Sequence, residues 1–162
     1  MHKVNILVDL DGVLVDFMSV ADAVLLKQVG YSFSQLDSST AWFLISQYQQ
    51  DIYKIAKPTS DYLELWQALK PYQPKILTAI PSLINLPHAK MHKKEWVKHY
   101  LGEEVQVKFG PHSIDKQNHC NPGDILIDDN HLNIKQWKEK GGIGILHINA
   151  KNTLTELKKY IA

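Results

Sequence analysis

Arginine is missing from this sequence: all 18 basic residues among the 162 are lysine. Any anion must therefore be met by flexible ammonium groups and not by a bidentate guanidinium fork. Cysteine is nearly missing too. The single Cys120 excludes an internal disulfide framework and suits a reducing compartment, so a cytoplasmic protein is expected. No apolar run approaches the roughly 18 residues that spanning a bilayer needs. The first such run, Val4 to Val8, is cut short by Asp9 and does not read as a secretory signal. An excess of one charge is also lacking. At a formal net charge of +1, nothing calls for a nucleic acid or a membrane surface as partner.

What is present is ordinary for a globular domain, with 44% hydrophobic and 22% charged residues. Val4 to Leu10 reads as a buried strand that ends in carboxylates. Asp16 is placed to cap a helix with Phe17, Val20 or Ala21, and Val24 on its apolar face, closed at Gly30. A second helix is expected from about Ala41 to Ala56 and a third from Asp61 to Leu69. The pattern then alternates. Strands are expected at Lys75 to Thr78, Val105 to Phe109, Asp124 to Asp128 and Ile143 to Ile148. Helices are expected at His88 to Leu101, His131 to Lys140 and Asn152 to Ile161. Such alternation predicts an α/β fold, a parallel sheet covered on both faces in three layers. The stretch 14–72 is helical only and reads as a cap inserted after the first strand. Residues 1–13 and 73–162 would form the core.

Two apolar strands end in paired acids, Asp9-Leu10-Asp11 and Asp128-Asp129. In a parallel sheet both ends lie on one edge, where the acids would repel strongly without a cation between them. Magnesium, a hard oxygen-seeking ion that commonly arrives with a phosphate, answers that need. One carboxylate attacking phosphorus while another protonates the leaving oxygen is the logic of covalent phosphoryl transfer. Thr78, at a third strand end, offers a hydroxyl for a phosphate oxygen. Lys93 and Lys94 compete to supply positive charge. Lys93 shares a helical face with Trp96, Val97 and Tyr100 and should look inward, whereas Lys94 joins Lys90 and Lys98 on a solvated stripe.

Asp9-Leu10-Asp11-Gly12-Val13, Leu77-Thr78, Lys93 and Leu126-Ile127-Asp128-Asp129 together resemble the four motifs of the haloacid dehalogenase superfamily, in order and over nearly the whole chain. Two stretches narrow the likeness. Asp9 to Phe17 and Lys93 to Gly102 are similar to the 5'(3')-deoxyribonucleotidases, which carry a DGVLxDF segment and a K-x-x-W-V helix ending in glycine. The resemblance implies a Rossmann-like core with a small helical cap and a Mg²⁺-dependent phosphatase acting on a small phosphate ester, a nucleotide first of all. It implies Asp9 as nucleophile and metal ligand, and Asp11 as general acid/base whose backbone carbonyl reaches the metal. Asp128 would be the third metal ligand, with Asp129 behind it. Thr78, Lys93 and Lys116 would bind phosphate, and Phe17, Trp42 and Phe43 would line a nucleobase site. It leaves room for a homodimer. The sequence departs from the family at Ala79, where a small polar residue is usual, and near Lys116, where an arginine is usual. A sugar phosphatase or a polynucleotide 3'-phosphatase keeps the same chemistry. A phospho-accepting receiver domain would need its aspartate on a middle strand and no helical insertion after the first.

Overall fold

Residues 4–81 and 86–161 are described by the computed structural model. Its centre is built from the apolar runs that the sequence ends with acids. Strands β1 (Ile6–Val8), β2 (Lys75–Thr78), β3 (Val107–Phe109), β4 (Ile125–Asp128) and β5 (Ile143–Leu146) form one parallel sheet in the order β3-β2-β1-β4-β5. β1 is central, and the chain adds strands first on one side of it and then on the other. In such sheets ligands bind beyond the carboxyl ends of the strands, at the point where the order reverses. Here that point lies between β1 and β4. Val8 pairs with Ile127, and the next amide, that of Asp9, donates to the Ile127 carbonyl at 2.9 Å. The register therefore sets Asp9 beside Asp128.

Period-two alternation sends the two faces of the sheet to different layers. Leu7, Leu77 and Leu126 pack with Ile134 and Trp137 of helix α6 (His131–Glu139). Ile6, Val8, Ile76, Ile125, Ile127 and Ile145 share a larger cluster with residues of α4 (Tyr62–Leu69), α5 (Ala89–Tyr100) and α7 (Ala150–Leu157). The same cluster continues into α1 (Phe17–Val29), α2 (Ser38–Tyr48) and α3 (Ile52–Ile55). Within 14–72, α4 lies with the core helices: Asp61 accepts from the Ala150 amide at 2.7 Å, and Trp66 Nε1 donates to the Leu101 carbonyl at 3.3 Å. Among the described residues no helix is long and apolar enough to cross a membrane.

Helix α1 begins and ends as its sequence predicts, with the Asp16 side chain accepting from the Ser19 amide and Gly30 left-handed at φ 77°. Its buried face is Phe17, Ala21 and Leu25, one position on from Val24. The helix expected over residues 41–56 is broken instead. α2 stops at Tyr48, and a new short helix starts after Asp51, so the polar Gln49-Gln50-Asp51 makes a corner. The break rotates the second part. Tyr53 is buried where unbroken periodicity would have buried Ile55, which is 46% exposed.

Candidate active site

Seven elements deliver side chains to the carboxyl edge of the sheet: β1 and the turn after it, β2, β4, α3, α5, α6 and a 3₁₀ turn over Ile114–His119. Asp9, immediately beyond β1, is buried, and both of its protein contacts fall on one oxygen. The Leu10 amide and Lys116 Nζ each reach Oδ1 at 2.8 Å. Asp9 Oδ2 has no donor among the described residues. Asp128, which ends β4, is fully engaged. Its Oδ2 accepts from Lys116 Nζ at 2.8 Å and Asn133 Nδ2 at 3.0 Å, and its Oδ1 accepts from the Asn130 amide at 2.9 Å. Lys116 thus bridges two carboxylates from adjacent strands.

Asp11 belongs to a second group. The turn that carries it is wound tightly, with the Leu10 carbonyl accepting from the amides of Val13, Leu14 and Val15. Gly12 has φ +80°, a conformation that favours glycine, and a Cβ there would lie 2.0 Å from Asp129 Oδ2 and push that side chain aside. Asp11 Oδ2 takes Lys93 Nζ at 3.0 Å and the Tyr53 hydroxyl at 3.0 Å. Lys93 Nζ also donates to Thr78 Oγ1 at 2.9 Å and to the Ala79 carbonyl at 2.6 Å. Asp11 Oδ1 is buried and has no partner among the described residues.

The electrostatics follow from this packing. Burial first, then the charges of Asp128 and Asp11, push Asp9 up to about 8, although Lys116 pulls the other way. Burial would lower Lys116, but Asp9 and Asp128 outweigh it and hold the ammonium above its ordinary range. Asp129 keeps an exposed surface, yet partial desolvation and then Asp128 raise its carboxyl to about 6. Burial, then the charge of Asp11, holds the Tyr53 hydroxyl well above its ordinary value, so it stays a donor.

Four carboxyl groups (Asp9, Asp11, Asp128, Asp129) face two ammoniums (Lys93, Lys116), so full ionisation would leave two negative charges uncompensated. One oxygen each from Asp9, Asp128 and Asp129 lie within 4.8 Å of one another. An all-oxygen donor set of that charge fits a hard divalent cation such as Mg²⁺. The Asp11 carboxylate is outside this group of three, and Asp129 is inside it. A cavity of about 550 Å³ opens elsewhere, at the amino ends of the strands among Asn5, Trp66, Lys75 and Gln106, away from these acids.

Of the residues singled out in the sequence, the structure gathers Asp9, Asp11, Thr78, Lys93, Lys116 and Asp128. The helical-face argument holds, since Lys93 is buried and Lys94 exposed. The ammonium in contact with Asp9 is nonetheless that of Lys116. Phe17 is buried and stacks near-parallel with Trp42 (5.1 Å between ring centroids) and Tyr53 (5.6 Å), with Phe33 edge-on at 5.7 Å. Phe43 is not part of this group: it is 54% exposed and makes no ring contact among the described residues. Tyr53 and Asn133 were not singled out. Asn133 follows Asp128 by five residues, at the start of the next helix, which is a local signal; Tyr53 leaves none.

The chain matches no protein-family model and no curated protein. It does match solved structures. L-2-haloacid dehalogenase from Xanthobacter autotrophicus is 16% identical, covers 98% of this chain and 83% of its own, and superposes with a TM-score of 0.60. A predicted phosphatase from Clostridium acetobutylicum is 16% identical over 100% of this chain and 92% of its own, with a TM-score of 0.59. A HAD-superfamily hydrolase from Ehrlichia chaffeensis is 15% identical over 100% of both chains, with a TM-score of 0.52. At such identities the likeness is one of fold: this chain has the Rossmann-like α/β architecture of those hydrolases.

Proposed function

We propose that the chain is a Mg²⁺-dependent phosphomonoesterase working through an aspartyl-phosphate on Asp9, with (deoxy)ribonucleoside monophosphates as substrates. The observation that carries this reading is the division of labour between two carboxylates one residue apart. Among the described residues Asp9 is held by one oxygen and free at the other, while Asp11 is tied into a separate group with an unpartnered oxygen of its own.

Asp9 Oδ2 attacks phosphorus and forms the new P–O bond. The bond to the leaving oxygen breaks, its electron pair stays on that oxygen, and Asp11 supplies the proton. Asp11, now a carboxylate, takes a proton from the water that attacks next. The aspartyl P–O bond then breaks, returning the electron pair to Asp9. Bound Mg²⁺ would neutralise charge on the transferring group, held by Asp9, Asp128 and Asp129 with the Asp11 carbonyl. Thr78 Oγ1 and the one N–H of Lys116 not used on protein would hold phosphate oxygens, so catalysis is positioning plus electrostatics. The half-buried, unpaired Cys120 accords with a cytoplasmic setting.

One observation favours a second substrate reading, a sugar phosphate. Three of the protein's own rings enclose Phe17, which leaves it little face for a nucleobase. A hydrolysis screen over nucleotides, sugar phosphates and 3'-phosphorylated oligonucleotides, with and without Mg²⁺, separates the readings. Asp9→Asn is expected to remove more than about 10³-fold of the turnover while keeping the fold, as loss of a covalent nucleophile does. Appreciable residual hydrolysis would refute the assignment.

A further inference from the structure

Tyr53 is a buried polar group at the site that the proposed chemistry leaves idle. It comes from α3, far along the chain from Asp11, yet its hydroxyl donates to Asp11 Oδ2 at 3.0 Å. Its ring stacks on Phe17, and Lys93 Nζ lies 4.4 Å above it. That ammonium has three protons and three protein acceptors: Asp11 Oδ2, Thr78 Oγ1 and the Ala79 carbonyl. Lys93 is therefore saturated, and its direction toward Asp11 is fixed from three sides. Two donors converge on Oδ2. The other oxygen, Oδ1, is buried without a partner among the described residues, a costly arrangement unless it meets a ligand.

We infer that Tyr53 and Lys93 form a clamp on Oδ2 of Asp11 that reserves Oδ1 as the atom exchanging protons with the leaving oxygen and the incoming water. This rests on the phosphatase reading. Tyr53 is a positioning residue: it touches Asp11 and not the reacting atoms. Because it is borne by α3, the acid is correctly set only when that helix is docked. The docking has its own fastening, since Trp96 Nε1 of α5 donates to the Ala56 carbonyl at 2.9 Å.

The test compares two aryl esters of similar size. p-Nitrophenolate leaves without being protonated, whereas phenolate from phenyl phosphate needs the proton that Asp11 delivers. Tyr53→Phe keeps the ring, its stack on Phe17 and the cation above it, and deletes only the hydroxyl. Relative to wild type, kcat/KM for phenyl phosphate should fall about tenfold, the factor one hydrogen bond is worth. For p-nitrophenyl phosphate it should stay within about twofold, because general-acid help contributes little there. An equal loss on both esters, the mark of a merely structural tyrosine, would overturn the clamp, and so would no loss on either. A wild-type protein without Mg²⁺-dependent hydrolysis of either ester overturns the phosphatase reading, and the clamp with it.

Discussion

With no arginine available, two lysines divide the cationic work at the candidate site, and burial separates their tasks. Lys116 sits between Asp9 and Asp128 and keeps a proton to spare, while all three protons of Lys93 are committed to protein acceptors. Removing Lys93 leaves the Thr78 hydroxyl, the Ala79 carbonyl and one Asp11 oxygen short of a donor. Breaking a buried ion pair from one side costs about 3–5 kcal/mol, and the low end applies because the Asp11 side chain is 30% exposed. Lys93→Ala should thus lose about 3 kcal/mol of stability and at least about a hundredfold in kcat. Lys94→Ala, on the solvated stripe, should stay within about 0.5 kcal/mol of wild type with near-normal turnover. Thermal unfolding and steady-state kinetics on the pair check this, and equal losses would undo the argument from the inward helical face.

At the level of elements, what was legible in the sequence was local. A run such as Ile125-Leu126-Ile127 that stops at two acids declares both a buried strand and the place where its end leaves the core. The sheet and the edge where its acids gather could therefore be read directly. The contact between Lys116 and Asp9 could not, because it joins a 3₁₀ turn to a strand end far away in sequence. Tyr53 was hidden for a different reason. The corner at Gln49-Gln50-Asp51 resets the helical phase, so periodicity carried through it points to Ile55. The turn after β1 makes a sharper claim. Gly12→Ala must pay left-handed strain of about 1–2 kcal/mol and must also displace Asp129, whose Oδ2 would meet the new methyl at 2.0 Å. A Tm lowered by several degrees is expected, with Mg²⁺ affinity weakened at least about tenfold by the displaced ligand. Titrating Mg²⁺ against thermal unfolding checks both, and an unchanged Mg²⁺ response would remove Asp129 from the metal set.

For the molecule as a whole, the uncompensated carboxylates tie stability to pH and to the cation. Asp9 stands at about 8 in the fold against an ordinary value of 3.8, raised by burial and then by Asp128. A group raised in the folded state contributes stability that is complete below its unfolded value and is lost as pH rises through its folded one. The metal-free protein should therefore lose stability progressively from about pH 4 to about pH 8. His147 works at the other end. Burial lowers it below its ordinary 6.5, so its contribution is lost as pH falls past that value, and over the acid part of this window it opposes the trend from Asp9. Mg²⁺ stands in for the proton on Asp9, so its apparent affinity should drop about tenfold per pH unit below about 8. The drop should steepen below about 6, where Asp129 also begins to hold a proton. Because a ligand that binds only the folded state raises Tm according to its affinity, the Tm gain from a fixed Mg²⁺ concentration should grow steadily across that range. Tm measured in chelator and in Mg²⁺ at a series of pH values settles the matter. A gain that shrinks as pH rises would mean that Asp9 holds no proton for the cation to displace, and the charge balance drawn for the site would be wrong.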